Sequence, residues 1–275
     1  MSEDFSGWIG KTEQRRDTID AARSNALTAA LGVETAFVPG DAMPLLHHFL
    51  HFWDVRPPAA LGPDGHPAKG GFLPPVPLPR RMWAGGRLAF HQPLHFGEQV
   101  TKQSTIKAVT AKSGKSGDLV FVTVEHALSG ESGLAVTEEQ DLVYRGAAAP
   151  GSITPPEGAG PEPVCDWHRI IQPDEVLLFR YSALTMNGHR IHYDLPYAQG
   201  EEAYPALVVH GPLMATCLAA MAQRELGGTL KTFTFRGQSP AFAGQALHVC
   251  GNRTDDGAEV WTEQGGAKCM VASAT

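Results

Sequence analysis

Residues 211–226 read GPLMATCLAAMAQREL and predict the helix on which the fold depends. Gly211 and Pro212 begin this helix, since proline is favoured in a first turn, and a pair of glycines follows its last residue. Between those ends, residues 213–222 are apolar on nearly every side. A helix with no polar face must be buried on most of its surface, so the sequence predicts a helix enclosed by other elements.

Strand-like runs in the first half predict the kind of sheet that such a helix needs. The later runs are separated by turns rich in glycine and serine, which is typical of an antiparallel meander. A curved antiparallel sheet wrapped around one helix is the hotdog fold, and it would bury the helix as required. The runs span residues 87–92, 99–110, 119–128 and 134–144.

A short internal repeat indicates that this fold occurs twice. The segment PLHFGEQ at 93–99 matches PAFAGQA at 240–246, and each copy follows a strand-like run. Residues 147–163 are rich in alanine, glycine and proline, as linkers are. The sequence therefore predicts an α+β double hotdog, two antiparallel sheets each wrapped around a central helix. One unit would be 1–146, the linker 147–163 and the second unit 164–275, with a tunnel between the units.

Composition and charge narrow the classes of function. The net charge of −7 and the pI near 5.9 argue against a nucleic-acid-binding protein, which needs a basic surface. No apolar run approaches the roughly 18 residues of a membrane span, and the first residues lack the regions of a signal peptide. The four cysteines show no paired spacing, so we expect buried free thiols. We therefore expect a soluble cytoplasmic protein.

Local patterns predict further elements. Apolar residues at helical spacing predict a helix over 17–31, with Asp17 as its N-cap. A second helix is predicted over 41–56, and the proline-rich stretch 57–79 after it predicts an ordered lid. Residues 176–181 predict an apolar strand that leads into a polar loop.

Three histidines, His47, His48 and His51, fall on one stripe of the second predicted helix. His47 and His51 have the i,i+4 spacing of a metal site, but no glutamate lies between them and no third ligand is evident. A polar face or a pocket lining is the favoured interpretation. We predict no bound metal.

The stretch LPRRMWAGG at 78–86 places two cations beside an indole. Arg80 and Arg81 could hold a phosphate or a carboxylate, because guanidinium groups suit bidentate contacts. They could equally be a solvated charge pair at the start of a strand. The sequence does not favour either interpretation over the other.

The polar passage YSALTMNGHRIHYD at 181–194 resembles a known catalytic motif. The MaoC-type (R)-specific enoyl-CoA hydratases carry Ser/Thr-Gly-Asp-x-Asn-Pro-Ile/Leu-His-x-Asp. The passage is more similar still to the type 2 hydroxyacyl-thioester dehydratases and the mesaconyl-C4-CoA hydratases, which are double-hotdog proteins. Those families also resemble this chain in the LPRRMWAGG stretch, so the resemblance spans nearly the whole sequence. The residues that match the MaoC-type motif are Thr185, Ile191, His192 and Asp194.

The resemblance implies a lyase that hydrates an enoyl-CoA, with mesaconyl-C4-CoA, which gives citramalyl-CoA, as the favoured substrate. It assigns proton transfer to His192, because the ordinary pKa of histidine suits acid–base work. Asn187 stands where the MaoC-type motif has a catalytic aspartate, and His189 stands where it has asparagine. We expect Asn187 to position the water, with His189 as a candidate second base. Backbone N–H groups near Gly211 would stabilise the thioester oxyanion.

A free substrate carboxylate and the phosphates of coenzyme A both need cationic partners. Coenzyme A is part of the substrate, so no separate cofactor is expected. Hotdog proteins commonly associate through their sheets, which makes a homodimer an expectation by analogy. The candidate binding residues are Arg180, Arg190, Arg80, Arg81 and Trp83.

Three other functions stay open at this point. Dehydration of a 3-hydroxyacyl thioester in fatty-acid synthesis would call for a longer apolar tunnel and no carboxylate partner. A hotdog thioesterase would need a carboxylate, Asp194 or Glu225, to activate water at the thioester carbonyl. A non-catalytic acyl-CoA-binding protein is the third, because Asn187 cannot take or give a proton.

Overall fold

Antiparallel strands joined into one sheet form the frame of the molecule. The computed structural model describes residues 4–114, 117–147, 153, 160 and 162–275. The strands are β1 Thr12–Thr18, β2 Arg80–Phe90, β3 Gln99–Gly114, β4 Gly117–Gly130, β5 Gly133–Arg145, β6 Trp167–Ile171, β7 Thr232–Gly237, β8 Leu247–Thr254, β9 Gly257–Gln264 and β10 Ala267–Ala274. Their order across the sheet is β1-β3-β4-β5-β2-β7-β10-β9-β8-β6. The first half of the chain thus forms one side of the sheet and the second half forms the other.

Helices and single turns cover this sheet. The α-helices are α1 Ala21–Ala30, α2 Glu175–Thr185, α3 Leu195–Gly200 and α4 Gly211–Leu226. Short 3-10 turns lie at Ser6–Trp8, His47–Leu50, Pro58–Ala60 and Arg190–His192. Among the described residues, no helix is long and apolar enough to cross a membrane.

Helix α4 lies where the sequence predicts it, enclosed by the sheet of the second half. It packs against β7, β8, β9 and β10. Residues such as Leu218 and Ala219 are completely buried, which their apolar character requires. Gly227 ends the helix at a φ of 72°, a left-handed conformation that glycine adopts without strain. This helix within its sheet confirms the hotdog unit predicted for the second half, and the ten-stranded antiparallel sheet fits the predicted α+β double-hotdog class.

The two halves differ in what fills the space against their sheets. In the first half, all of residues 31–79 are described and none of them forms an α-helix. The buried side chains of Leu46, Leu50 and Phe52 belong to the main apolar core instead. The prediction of a helix over 41–56 is therefore wrong, because the segment forms only one 3-10 turn, His47–Leu50. Leu46 and Phe52 have φ values of 64° and 61°, and these left-handed residues stop a helix on both sides of the turn.

The first predicted helix is also shorter than its sequence pattern indicates. Residues 12–18 form β1, and α1 begins at Ala21 with Asp20 as its N-cap, accepting a hydrogen bond from the backbone N–H of Ala22. Asp17, the predicted cap, instead accepts from the Phe52 backbone N–H at 2.9 Å. The prediction failed because strand β1 ends at Thr18 and the helix cap Asp20 follows with only one residue between them, so a strand and a helix share one apolar pattern.

Residues 176–181, predicted as a strand, belong to helix α2. Asp174 caps this helix by accepting from the Leu177 backbone N–H at 2.7 Å. Leu178 and Tyr181 are buried, whereas Val176 and Phe179 are exposed, so the apolar run has a helical period. Four adjacent apolar residues hide that period in the sequence.

The two halves of the sheet join where β2 pairs with β7. Gly85 and Gly86 lie at this junction, opposite Arg236 and Phe235. A Cβ atom on Gly85 would lie 2.6 Å from the Phe235 carbonyl oxygen, and one on Gly86 would lie 2.8 Å from the Phe235 ring. Glycine at both positions allows the close approach that makes the sheet continuous.

A second contact joins the halves away from the sheet. Gly65, in the proline-rich stretch, faces Gly188 across a gap too narrow for a side chain: a Cβ atom on Gly65 would lie 2.0 Å from the Gly188 carbonyl oxygen. Arg190 reinforces the contact, since its backbone N–H donates to the Asp64 carbonyl oxygen at 2.9 Å. The stretch 57–79 is therefore ordered against the second half, whereas the predicted linker 147–163 lies for the most part outside the described residues.

Replacing Gly65 by alanine tests this contact. Gly65 has a φ of 86°, so the added methyl group is strained by the backbone as well as by Gly188. We expect Gly65→Ala to lower the free energy of unfolding by roughly 2 kcal/mol or more, measured by urea denaturation. Gly71→Ala is the matched control, because a Cβ atom there meets nothing within 4 Å and φ is not positive. Equal effects of the two substitutions would contradict the contact.

Candidate active site

The polar loop after α2 is shaped by its own backbone. Met186 ends the helix at a φ of 52°, and the Asn187 backbone N–H then donates to the Ser182 carbonyl oxygen at 2.9 Å. The Asn187 side-chain oxygen accepts from the His189 backbone N–H at 3.0 Å. An asparagine that bonds the chain two residues ahead stabilises such a turn. The side-chain oxygen of Asn187 is thus already hydrogen-bonded, and the side-chain NH₂ group is the part left to meet a ligand.

His192 is buried with its tautomer fixed. Its Nδ1 lies 2.7 Å from the carbonyl oxygen of Val208, which can only accept, so Nδ1 carries the proton. The other ring nitrogen, Nε2, is therefore an unprotonated base. Burial and the neighbouring His210 hold the pKa of His192 well below its ordinary value of 6.5. The side chain stays a neutral base across the physiological range.

The ring of His210 stacks on the ring of His192. The two rings stack with centroids 3.6 Å apart and planes 18° apart. His210 Nε2 lies 2.9 Å from the Ser182 hydroxyl, and burial lowers the pKa of His210 to about 3. The sequence marks His210 only as the residue before a helix start. Its contact with His192 comes from the folding of two distant segments.

Gly211 follows His210 as the first residue of α4. The first N–H groups of a helix have no partner within it and carry the positive end of the helix dipole. Among the described residues, none accepts a hydrogen bond from the Gly211 N–H. The stack of His210 on His192 brings this donor to the same end of α4 as the candidate base. The predicted oxyanion site and the predicted base are therefore neighbours.

A loop of the first half brings another histidine to the site. The ring centroid of His66 lies 4.3 Å from that of His189, and the His189 centroid lies 5.5 Å from that of His192. Asp64 is hydrogen-bonded to His66, with Oδ2 3.0 Å from Nδ1. Glu202 lies on the other side, with Oε1 3.9 Å from His189 Nε2. Sequence reasoning did not select Asp64, His66 or Glu202 because contacts between distant segments carry no local signal.

A cavity of about 900 Å³ opens beside this cluster, between the two halves. Asp64 and Glu202 line it, so it adjoins the histidines. Four cationic side chains also line it, in a chain with a net charge of −7. They are Lys69, Arg80, Arg81 and Arg190. Three of the predicted binding residues are thus brought together.

The arginines of the cavity differ in how far their charge is already matched. Arg80 is 4% exposed and pairs through Nε with Glu202 at 2.7 Å, with its guanidinium 5.0 Å from the ring of Tyr204. Arg190 pairs with Asp194 at 2.7 Å and donates to the Pro63 carbonyl oxygen at 3.1 Å. No ion pair involves Arg81 among the described residues.

Two predicted binding residues lie elsewhere. Arg180 lines a separate hollow of about 230 Å³ together with Arg169 and Asp174. Trp83 packs against Phe49 with ring centroids 5.0 Å apart, and its indole N–H donates to the Gly85 carbonyl oxygen at 2.9 Å. The structure does not bring Arg180 to the histidines, and the contacts of Trp83 are those of a core residue.

The histidines weighed for a metal site do not converge on one point. His47 contacts the Ser24 hydroxyl, His48 contacts Glu138 at 3.1 Å, and His51 lies 3.6 Å from Asp17. All three are buried, and each contacts a different polar side chain. In the candidate site, donor atoms of Asp64, His66 and His189 do lie within 4.8 Å of one another. The absence of a bound metal stays a prediction.

Comparison with known proteins identifies the family. The model of the hydroxyacyl-thioester dehydratase type 2 family matches residues 46–243. Mesaconyl-C(4)-CoA hydratase of Chloroflexus aurantiacus is 46% identical over 246 residues, 88% of this chain and 86% of that protein. The mitochondrial hydroxyacyl-thioester dehydratase type 2 of Schizosaccharomyces pombe is 30% identical over 234 residues, 76% of this chain and 77% of that protein.

Solved structures agree with the fold. HtdX of Mycobacterium tuberculosis superposes with a TM-score of 0.66 at 15% identity, over 96% of this chain and 98% of that chain. A second protein of that organism, described as a double hotdog, gives 0.59 at 13% identity, over 97% of this chain and 95% of that chain. Folding, motif and sequence identity thus converge: the chain belongs to the hydroxyacyl-thioester dehydratase type 2 family of hydro-lyases.

Proposed function

We propose that this protein is an acyl-CoA hydratase that adds water to mesaconyl-C4-CoA and forms citramalyl-CoA. The observation that carries the proposal is the buried His192, whose Nδ1 is tied to the Val208 carbonyl oxygen. Its ring stacks on that of His210, the residue before α4, which supports one site shared by a base and an oxyanion donor. The identity of 46% to a mesaconyl-C(4)-CoA hydratase supports the choice of substrate.

The reaction follows from the base and the helix end. His192 Nε2 takes a proton from water, whose oxygen bonds to Cβ of the enoyl thioester. The electrons of the double bond move toward the thioester carbonyl, where the oxyanion accepts a hydrogen bond from the Gly211 N–H. The resulting imidazolium gives this proton to Cα, so the same histidine acts first as the base and then as the acid. The Asn187 NH₂ group holds the water, and His189 borders it.

The two halves of the chain would take different roles in binding and in catalysis. The cations around the cavity include Lys69, Arg80 and Arg81 from the first half and Arg190 from the second. We assign the phosphates of coenzyme A to them, because guanidinium and ammonium groups suit phosphate oxygens. The first unit, 1–146, would then bind the coenzyme, and the second unit, 164–275, would carry the catalytic motif.

Dehydration of a 3-hydroxyacyl thioester is the second candidate. It is the reverse reaction on a simpler acyl chain, and the similarity to the Schizosaccharomyces pombe dehydratase favours it. The thioesterase alternative has less support. Asp194 accepts from the Tyr197 backbone N–H and pairs with Arg190, whereas Glu225 pairs with Arg224 at 2.6 Å. Both carboxylates are engaged in structural contacts.

A cytoplasmic location and a homodimer complete the proposal. The edge strands β1 and β6 are the ends of the sheet through which two copies would associate. The association and the compartment rest on analogy with other hotdog proteins. Size-exclusion chromatography with light scattering measures the association directly, and a purely monomeric protein would contradict it.

Substitution of His192 tests the catalytic assignment. We expect His192→Ala to lower kcat for mesaconyl-C4-CoA by about 100- to 10,000-fold, because the base that activates water is lost. Loss of absorbance of the conjugated enoyl thioester measures the rate. His91→Ala is the control, since among the described residues the exposed His91 side chain hydrogen-bonds only to the Thr137 hydroxyl. A wild type that consumes crotonyl-CoA and leaves the dicarboxylate untouched would shift the assignment to the second candidate.

Metal removal tests the absence of a cofactor. We expect dialysis against a chelator to leave the rate unchanged, because His192 and the α4 N-terminus supply both the base and the oxyanion donor. The Asp64–His66 hydrogen bond already accounts for the closeness of those two donor atoms. Elemental analysis of the untreated protein should show no stoichiometric metal. Activity that disappears on chelation and returns with a divalent cation would show that the site holds one.

A further inference from the structure

The position of the substrate carboxylate restricts its binding partner. In mesaconyl-C4-CoA, the free carboxylate is attached to the same carbon that receives the hydroxyl group. Under the proposed function, that carbon must lie next to the water activated by His192. The group that recognises the carboxylate must therefore lie beside His192, and the more distant parts of the cavity are left for coenzyme A.

Two of the arginines expected from the sequence are already paired with carboxylates. Arg190 is paired with Asp194 and with the Pro63 carbonyl oxygen. Arg80 Nε pairs with Glu202 at 2.7 Å, and the other oxygen of Glu202 lies 3.9 Å from His189 Nε2, so Glu202 separates Arg80 from His189. The side chains that the structure does bring to His192 are imidazoles, since His189 lies 5.5 Å from it and His66 lies 4.3 Å from His189.

The Asp64–His66 pair has a defined protonation in the free protein. The hydrogen bonds from His66 and the charge of Arg81 lower the pKa of Asp64 far below its ordinary value, so Asp64 is an anion. An anion only accepts, so His66 Nδ1 carries a proton toward it at 3.0 Å. His66 Nε2 can then donate to a second carboxylate only if the ring gains a proton.

We infer that His66, hydrogen-bonded to Asp64, and His189, with Glu202 beside it, form the subsite for the substrate carboxylate on the carbon that receives the hydroxyl group. The subsite places two imidazoles between two protein carboxylates, and a ring nitrogen of each lies within 4.8 Å of the other. A carboxylate oxygen that enters this space accepts from both rings. The first half of the chain thereby selects the acyl group as well as the coenzyme.

Binding at this subsite is coupled to proton uptake. Burial lowers the pKa of His66 to about 4, with further lowering by the charges of Arg81 and His189, while Asp64 acts in the opposite direction. The ring is therefore neutral at pH 7 in the free protein. A substrate carboxylate against Nε2 raises the pKa of His66, so the complex takes up a proton at any pH between the free and bound values.

Calorimetry with unreactive thioesters tests the subsite without turnover. The saturated 2-methylsuccinyl-C4-CoA keeps the carboxylate, whereas isovaleryl-CoA has a methyl group in its place on the same carbon skeleton. We expect the first to bind about 10- to 100-fold more tightly at pH 7, with uptake of roughly one proton. The uptake is read from binding enthalpies in buffers of different ionisation enthalpy. Isovaleryl-CoA should bind with no uptake.

Variants distinguish the two imidazoles from Arg81, whose charge acts on both Asp64 and His66. His66→Gln and the isosteric Asp64→Asn should each abolish the uptake and remove the preference for the carboxylate. Arg81→Gln should weaken both thioesters equally, because it serves coenzyme A. Equal affinity of the wild type for the two ligands would overturn the inference, and so would a preference lost only in Arg81→Gln. A preference with proton uptake but no hydration of mesaconyl-C4-CoA would refute the proposed function and leave the subsite standing.

Discussion

The structure depends on the burial of α4 and on the chain segment that leads into it. The backbone N–H of Val208 donates to the Ile191 carbonyl oxygen at 3.0 Å, and its own carbonyl oxygen accepts from His192 at 2.7 Å. One residue therefore fixes both the backbone and the side chain of the loop that carries His192. Two residues further on, His210 stacks on the His192 ring, and the Gly211 N–H that follows has no acceptor among the described residues. Because α4 is enclosed by the sheet, this arrangement cannot shift without disturbing the core.

Burial then determines the chemistry of the site. A histidine in water has a pKa of about 6.5 and is partly charged near neutrality. Desolvation holds His192 and His210 in the neutral form, and the Val208 carbonyl oxygen selects which nitrogen of His192 carries the proton. The family resemblance assigns an aspartate to the position of Asn187. Under the proposed function, a neutral, oriented imidazole does the acid–base work without that carboxylate, since one base can take and return the same proton.

The two halves of the chain differ around a shared sheet. The second half contains the long helix α4 and the motif, whereas in the first half residues 31–79 form a loop without an α-helix that crosses to the motif. The contact of Gly65 with Gly188 brings Asp64 and His66 within reach of His189. A site assembled from both units explains why the cations of the cavity come from both halves. It also gives the first half a role in choosing the acyl group.

Much of the fold was accessible from the sequence, because its signals are local. The apolar helix at 211–226 and the strands predicted at 99–110, 119–128 and 134–144 lie where the sequence places them, whereas the run 87–92 covers only the end of β2. The helix predicted over 41–56 failed on two left-handed residues that composition does not reveal. The strand predicted at 176–181 failed because adjacent apolar residues hide a helical period. His66, Glu202 and the role of His210 could not be predicted, since each depends on contacts between segments far apart in the chain.

The most direct test of the account is a crystal structure with 2-methylsuccinyl-C4-CoA bound, a ligand that lacks the double bond and cannot react. We expect the thioester oxygen at the Gly211 N–H and the free carboxylate between the rings of His66 and His189. His192 Nε2 should face the carbon that would receive the hydroxyl group. A carboxylate bound to Arg81 instead of the two rings, or a thioester remote from the start of α4, would contradict this arrangement.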